Sequence, residues 1–366
     1  MPALYRKYRP HNFQEIIGQP HIVQTLTNAI ISSSVFHAYL FSGPRGSGKT
    51  TAARVLAKAI NCENRKENQF EPCDKCSSCL EIAGGNAMDL IEIDAASHRG
   101  IDDIRELRDG IRFAPVKSKF KVFIIDECHQ LSKDATNALL KTLEEPPTHA
   151  VFILATTEIH KMIPTIISRC QRFDFKRLQT SDIIKKLEYI SEKEGIKFDK
   201  SALSLIALNS RGSFRDAESL LDECLSFSGK TALIKIEDIE ELLGIVEISH
   251  ISKFIDFLLA KDAKNSVLFL NSIVEEGIDL SEFTKTLIYY LRQILLLKIN
   301  QEFLSPETSG FSFEEIEKMK TQSADLKEKE IQTMLELFID AENKMKYTSI
   351  LQLPIELAIV DITNLQ

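Results

Sequence analysis

The chain has 366 residues, 44% of them hydrophobic, too long for one core and apolar enough for two or three. Lys and Arg total 45 against 53 Asp and Glu, and the net charge of −8 removes any global electrostatic reason to bind nucleic acid or an anionic membrane. The opening residues MPALYRKYRP hold no apolar run and no stretch of about 18 apolar residues follows, so the expected compartment is the cytoplasm, with seven cysteines kept reduced.

In the first half, short apolar runs alternate with helical patterns, as a parallel α/β sheet covered on both faces requires. The predicted strands are 38–41, 89–93, 122–126, 151–155 and 172–175. The first runs into GPRGSGKT at 43–50 and then into the helical TAARVLAKAI, the strand–loop–helix context of a P-loop. Gly43, Pro44, Arg45, Gly46, Ser47 and Gly48 would turn backbone N–H groups onto the phosphates of ATP. Lys49 would neutralise the β- and γ-phosphates, the Thr50 hydroxyl would bind Mg²⁺, and Thr51 would follow in the helix whose N-terminus adds positive potential.

Between that helix and the second strand, Cys62, Cys73, Cys76 and Cys79 read C-x10-C-x2-C-x2-C, a module over about 62–79. Such spacing lets four thiolates converge on one tetrahedral Zn²⁺ with no open position, so the expected zinc is structural. The intervening NRKENQFEP is too polar for these to be core cysteines.

Further on, KVFIIDECHQL sets Asp126 and Glu127 at the C-terminal end of a buried strand, where open α/β sheets bind ligands. Asp126 would hold Mg²⁺ through its water shell and Glu127 would orient and deprotonate an attacking water. Cys128 and His129 read as structural neighbours, and Cys170 and Cys224 as buried or incidental thiols.

Past residue 176 the strand signal fades. Ser181 and Asp199 are predicted N-caps, and Gly195 and Gly212 breaks, of a small helical domain over 179–242 that follows the sheet domain, 1–178. A helical bundle is predicted over 243–366, with one stripe of Leu287, Leu291, Ile294 and Leu295 and another of Met334, Leu335, Phe338 and Ala341. The polar run 314–329 reads as a solvated helix pair.

Five longer strings carry a family resemblance: YRKYRP at 5–10, DAASHRGIDDIRELRD at 94–109, NALLKTLEEPP at 137–147, ATTEIHKMIPTIISRC at 155–170 and GSFRDAESLLD at 212–222. With the P-loop they resemble AAA+ clamp-loader ATPases over almost the whole chain. The intact P-loop sets the chain apart from delta-prime subunits, and the cysteine module sets it apart from replication factor C small subunits. Both point to the bacterial gamma/tau family.

The resemblance implies an AAA+ P-loop ATPase domain with a zinc insertion, a helical lid and a C-terminal helical collar. Tyr8, Arg9, Pro10, Ile17 and Val23 would line the adenine pocket. Thr157 would be sensor 1, Arg215 sensor 2, and Arg169 the arginine finger that reaches a neighbouring subunit's nucleotide. Partners would be delta, delta-prime and a ring clamp, in a hetero-oligomer with a pentameric collar and no membrane contact. Arg99, Arg105, Lys133, Lys141 and Lys161 are the candidates for backbone contacts to primer-template DNA. The segment 101–108 is the candidate clamp-facing helix.

The implied activity is a Mg-dependent ATPase that opens the clamp and loads it on primed DNA. A polymerase-tethering scaffold is the competing class; no tethering domain appears before Gln366, which favours the motor. A Holliday-junction or helicase-type motor is disfavoured by the cysteine module and the lack of a winged-helix tail.

Overall fold

In the computed structural model, which describes residues 3–66, 68–97, 110–111, 113–228, 233–243, 247–300, 303–304 and 311–364, the five apolar runs form one wholly parallel sheet. Its strands are β1 (Ala38–Ser42), β2 (Leu90–Asp94), β3 (Lys121–Asp126), β4 (Ala150–Thr156) and β5 (Gln171–Asp174), in the order β2-β3-β4-β1-β5. Two strands are displaced by one residue from their predicted bounds. Asp89 stands outside β2 because its carboxylate accepts the amides of Val116, Lys117 and Ser118 at 2.7–2.9 Å, which ties down the turn ahead of β3. Phe175 follows β5 but still donates its amide to Ser42 at 2.7 Å.

Strand side chains alternate between two buried faces. Tyr39, Phe41, Val122, Ile124, Val151 and Ile153 pack under α2 (Pro20–Ile31) and α3 (Lys49–Ile60). Leu40, Phe123, Ile125, Phe152 and Leu154 meet the opposite layer, which includes α5 (Lys133–Glu144) and α6 (Pro164–Ile167). Burial on both faces is why the runs are continuously apolar rather than alternating. Two smaller helices also belong to this part of the chain, α1 (Leu4–Lys7) and α4 (Ser77–Gly84), the second packed against α3.

The chain divides into two compact units, Met1–Ile236 and Glu237–Gln366. The first also holds three lid helices, α7 (Thr180–Glu194), α8 (Lys200–Asn209) and α9 (Phe214–Ser228). Asp199 is the N-cap of α8, and Gly195 ends α7 at φ 72°. Ser181, expected as a cap, is instead inside α7, whose N-cap is Gln179. The Gln179 carbonyl already takes the Asp182 and Ile183 amides, so helical geometry sets in before Ser181. The lid also contains a parallel pair unforeseen in the sequence, β6 (Lys197–Phe198) with β7 (Leu233–Ile234).

Helix α10 (Ile236–Leu243) spans the unit boundary, and the second unit is helical: α11 (Ile248–Leu259), α12 (Ala263–Glu275), α13 (Leu280–Ile299), α14 (Phe313–Asp325), α15 (Glu328–Met345) and α16 (Leu353–Thr363). Leu287, Leu291 and Ile294 of one expected stripe and Met334, Phe338 and Ala341 of the other are buried, whereas Leu295 and Leu335 sit at the margin. The run 314–329 does fall on two helices, α14 and the start of α15, but it is not solvated throughout. α14, set by a Ser312–Glu315 capping box, buries Ile316, Met319 and Gln322. Gln322 accepts from the Tyr290 hydroxyl at 2.7 Å and donates to Ser252 and Asp256, so the polar sequence satisfies a buried network. Among the described residues no helix is long and apolar enough to cross a membrane.

Candidate active site

The strands end on a cleft of about 880 Å³ within the first unit. β1 delivers the glycine-rich loop, with Gly46 at φ 72° and Gly48 at φ 97° as the N-cap of α3. A Cβ at Gly48 would meet no protein atom, whereas one at Gly46 would run into the Ser213 hydroxyl just ahead of α9. The Gly46 carbonyl also accepts the Phe214 amide at 3.3 Å, which seats the lid on the loop. Arg45 to Thr51 line the cleft; Gly43 and Pro44 lie behind it, their carbonyls accepting from Lys49 Nζ at 2.8 Å each. Burial depresses the pKa of this ammonium, opposed by Glu127 and Asp126.

β3 ends one residue short of a left-handed Glu127, at φ 47°, and this turn aims two successive carboxylates into the cleft. Asp126 Oδ2 accepts from the Thr50 hydroxyl at 2.6 Å, so two oxygen ligands suited to a hard divalent cation already converge. Glu127 Oε2 accepts from the Thr157 hydroxyl at 2.8 Å, just past β4. His129 packs behind, with Nδ1 2.9 Å from Thr156 Oγ1 and 3.4 Å from Glu127.

At the other end Arg9, Pro10, Ile16 and Ile17 line the wall. Tyr8 and Val23, expected there, do not reach it. The Tyr8 hydroxyl donates to Glu194 at 2.7 Å, and Val23 packs against the sheet core. Tyr5 and Arg6 line the cleft instead, and Arg215 of the lid stacks over the Tyr5 ring at 5.2 Å. Further lining residues were missed, Arg54, Lys58, Asp94, Lys186 and Glu218 among them. Asp94 alone had a signal, since it ends β2 in register with Asp126.

Arg169 is elsewhere, in a hollow lined also by Ser34, Phe36, Leu143 and Glu144. It donates to Glu144 at 2.7 Å and to the Thr165 carbonyl at 2.9 Å. Burial pushes the neighbouring Cys170 thiol up to about 12 and the Cys128 thiol higher still, so neither is a poised nucleophile. Lys133 and Lys141 are exposed on α5, and Lys161 is exposed and paired with Glu158 at 2.7 Å. Arg99, Arg105 and the segment 101–108 lie outside the described residues.

The sulfurs of Cys62, Cys73, Cys76 and Cys79 all lie within 4.8 Å of one another, and none is in a disulfide. A tetrahedral zinc with bonds of about 2.3 Å needs sulfurs about 3.8 Å apart, so the set fits a metal after a small contraction. Burial acts to raise the Cys73 thiol, but the Lys75 and Cys76 amides outweigh it and bring it to about 6. Two contacts fasten this module to the cleft. Glu71 accepts the amides of Phe13 and Gln14 at 2.9 and 3.0 Å, just beyond the Arg9–Pro10 wall, and Asp74 pairs with the buried Lys58 of α3.

Family models match three consecutive stretches: DNA polymerase III, delta subunit, at 18–179; DNA polymerase III clamp loader subunit, ATPase lid domain, at 182–230; and DNA polymerase III subunits gamma and tau domain III at 234–366. The chain is 42% identical to DNA polymerase III subunit tau of Bacillus subtilis, over 98% of its own length and 63% of that protein's. It is 37% identical to DNA polymerase III subunit gamma of Buchnera aphidicola from Acyrthosiphon pisum, over 99% of its own length and 98% of that protein's. Among solved structures a Thermotoga maritima RuvB variant superposes with a TM-score of 0.50 at 19% identity, covering 69% of this chain and 80% of that one, a likeness of fold.

Proposed function

Since the chain belongs to the gamma/tau family of DNA polymerase III, we propose that it is a Mg-dependent ATPase subunit of a clamp loader, opening a ring clamp and placing it on primed DNA. The observation that carries this reading is the convergence of Lys49, Thr50, Asp126, Glu127 and Thr157 where β1, β3 and β4 end. Lys49 exchanges its two carbonyl partners for β- and γ-phosphate oxygens of ATP. Thr50, and Asp126 through the ion's water shell, would hold Mg²⁺, which would neutralise phosphate charge when bound. Glu127 takes a proton from the attacking water while Thr157 fixes the carboxylate; the water oxygen bonds to the γ-phosphorus and the bond to the β–γ bridging oxygen breaks. Arg215 carries the state of the γ-phosphate to the lid, and Arg169 completes the site of a neighbouring subunit.

The same reading assigns the ATPase domain to 1–178, the lid to 179–242 and a collar to 243–366 of a cytoplasmic pentameric assembly with delta and delta-prime. Lys133, Lys141 and Lys161, with Arg99 and Arg105, contact DNA phosphates. The test is the ATPase rate of the reconstituted assembly across a salt series. It should rise when clamp and primed DNA are both present, equally on templates of unrelated sequence. Lys141→Ala should weaken the stimulation and lower its salt slope by about one counterion. A rate indifferent to clamp and DNA would contradict the proposal.

For the cysteine module the expected content is one zinc per chain, measured by elemental analysis of unchelated protein. Its binding energy in zinc-finger peptides, about 10–16 kcal/mol, is enough for the module's fold to depend on metal. Chelation should therefore expose 62–79 to proteolysis while sparing most of the sheet. Protection unchanged by chelation would remove zinc from its structural role.

A further inference from the structure

We propose that Glu218 reads the base of the bound nucleotide, its carboxylate accepting a hydrogen bond from the exocyclic amine of adenine. This deepens the reading above and rests on it. Glu218 lies on α9 one turn beyond Arg215, so the two share a face of that helix, and both line the cleft. Arg215 is the cationic member, suited to phosphate. Glu218 repels phosphate and so belongs to a different part of the ligand.

The side chain is only 6% exposed, and no hydrogen bond from a described residue reaches its carboxylate. Lys186 of α7, a lid cation that also lines the cleft, gives its ammonium to the Tyr8 carbonyl at 3.0 Å. Burial pushes Glu218 up to about 7, with Lys186 and then Arg9 pulling it back toward the ionised form. Its oxygens are not sealed in the protein; they open on the cleft, where water can meet them. A nucleotide that fills the cleft displaces that water, and leaving the acceptor without a donor would then be costly, so the ligand supplies the donor. A 6-amino purine offers two N–H bonds; a 6-oxo purine presents an acceptor that would face the carboxylate's own lone pairs.

The experiment is an equilibrium titration of the full chain with ATP, with purine riboside triphosphate, which lacks the 6-amino group, and with 2′-deoxyATP. The unmodified protein should bind ATP about tenfold or more tighter than the purine analogue, the worth of one hydrogen bond to a charged group. Glu218→Leu should equalise the two by weakening ATP and not the purine analogue, and, because 2′-deoxyATP carries the same base and weakens equally, leave the ratio of ATP to 2′-deoxyATP unchanged. Glu218→Gln, whose amide oxygen still accepts, should keep most of the preference and guards against a misfolded lid. Equal affinities in the unmodified protein, a preference that survives Glu218→Leu, or a change confined to the 2′-deoxy ratio would each overturn the inference while leaving the ATPase reading intact. Binding of no triphosphate by the unmodified protein would instead remove the nucleotide reading and this inference with it.

Discussion

An Arg169→Ala subunit is expected to bind ATP as the unmodified subunit does and to lose hydrolysis at its neighbour's site rather than its own. The guanidinium sits in a hollow that shares no lining residue with the phosphate cleft of the same chain, so its own nucleotide gains nothing from it. The side chain is one-third exposed and paired with an exposed Glu144, a contact worth little in water. An arginine held this loosely can exchange Glu144 for a phosphate at small cost. Fingers of this type contribute about 10³–10⁵ in rate. Arg169→Lys should recover only part, because an ammonium lacks the planar fork. Mixed assemblies decide the matter: with Arg169→Ala in one marked position, single-turnover rates should collapse at the adjacent site. Collapse at the marked subunit's own site would disprove action in trans.

The second large effect is at Lys49, where alanine should abolish tight ATP binding. The ammonium is buried and already desolvated, held by the Gly43 and Pro44 carbonyls at 2.8 Å, so it meets phosphate with little further loss of hydration. Two charge-assisted bonds at about 1.5–3 kcal/mol each correspond to a loss of about two orders of magnitude or more in affinity. Calorimetry should register this with the melting temperature of the ligand-free protein nearly unchanged, because Gly43 and Pro44 are only partly buried and water can take the ammonium's place at their carbonyls. An affinity equal to that of the unmodified protein would remove Lys49 from the phosphate site.

What was legible in the sequence is what repeats locally. The apolar runs gave all five strands to within a residue or two, because burial on both sheet faces leaves an unmistakable composition. The loop after β1 and the carboxylates after β3 were legible because each is a short string whose chemistry sits at a strand end. The far wall of the cleft was not. Tyr5 lines it because α1 docks on α9, where the Leu4 amide donates to Asp222 at 2.9 Å, a pairing 218 residues apart with no periodic signature. Glu218 is hidden by the same cause: on a helical wheel it is one more charged residue, and only the seating of the lid on Gly46 turns it toward the cleft. Gln179 replaces Ser181 as a cap for a smaller reason, since helix ends shift by a residue when a backbone carbonyl alone can start the turn.

The grip of Glu71 on the Phe13 and Gln14 amides, with Asp74 on Lys58, makes the cysteine module a buttress of the cleft. Whatever factor a zinc bound there contributes to nucleotide affinity, the nucleotide must return to zinc affinity, since the two equilibria close one thermodynamic cycle. If that zinc braces the cleft and so strengthens nucleotide binding, a subunit cycling through ATP would hold it most firmly when charged with nucleotide and release it most readily when empty. Scarcity of zinc would then act first on the idle members of the population, leaving those engaged in loading the last to fail.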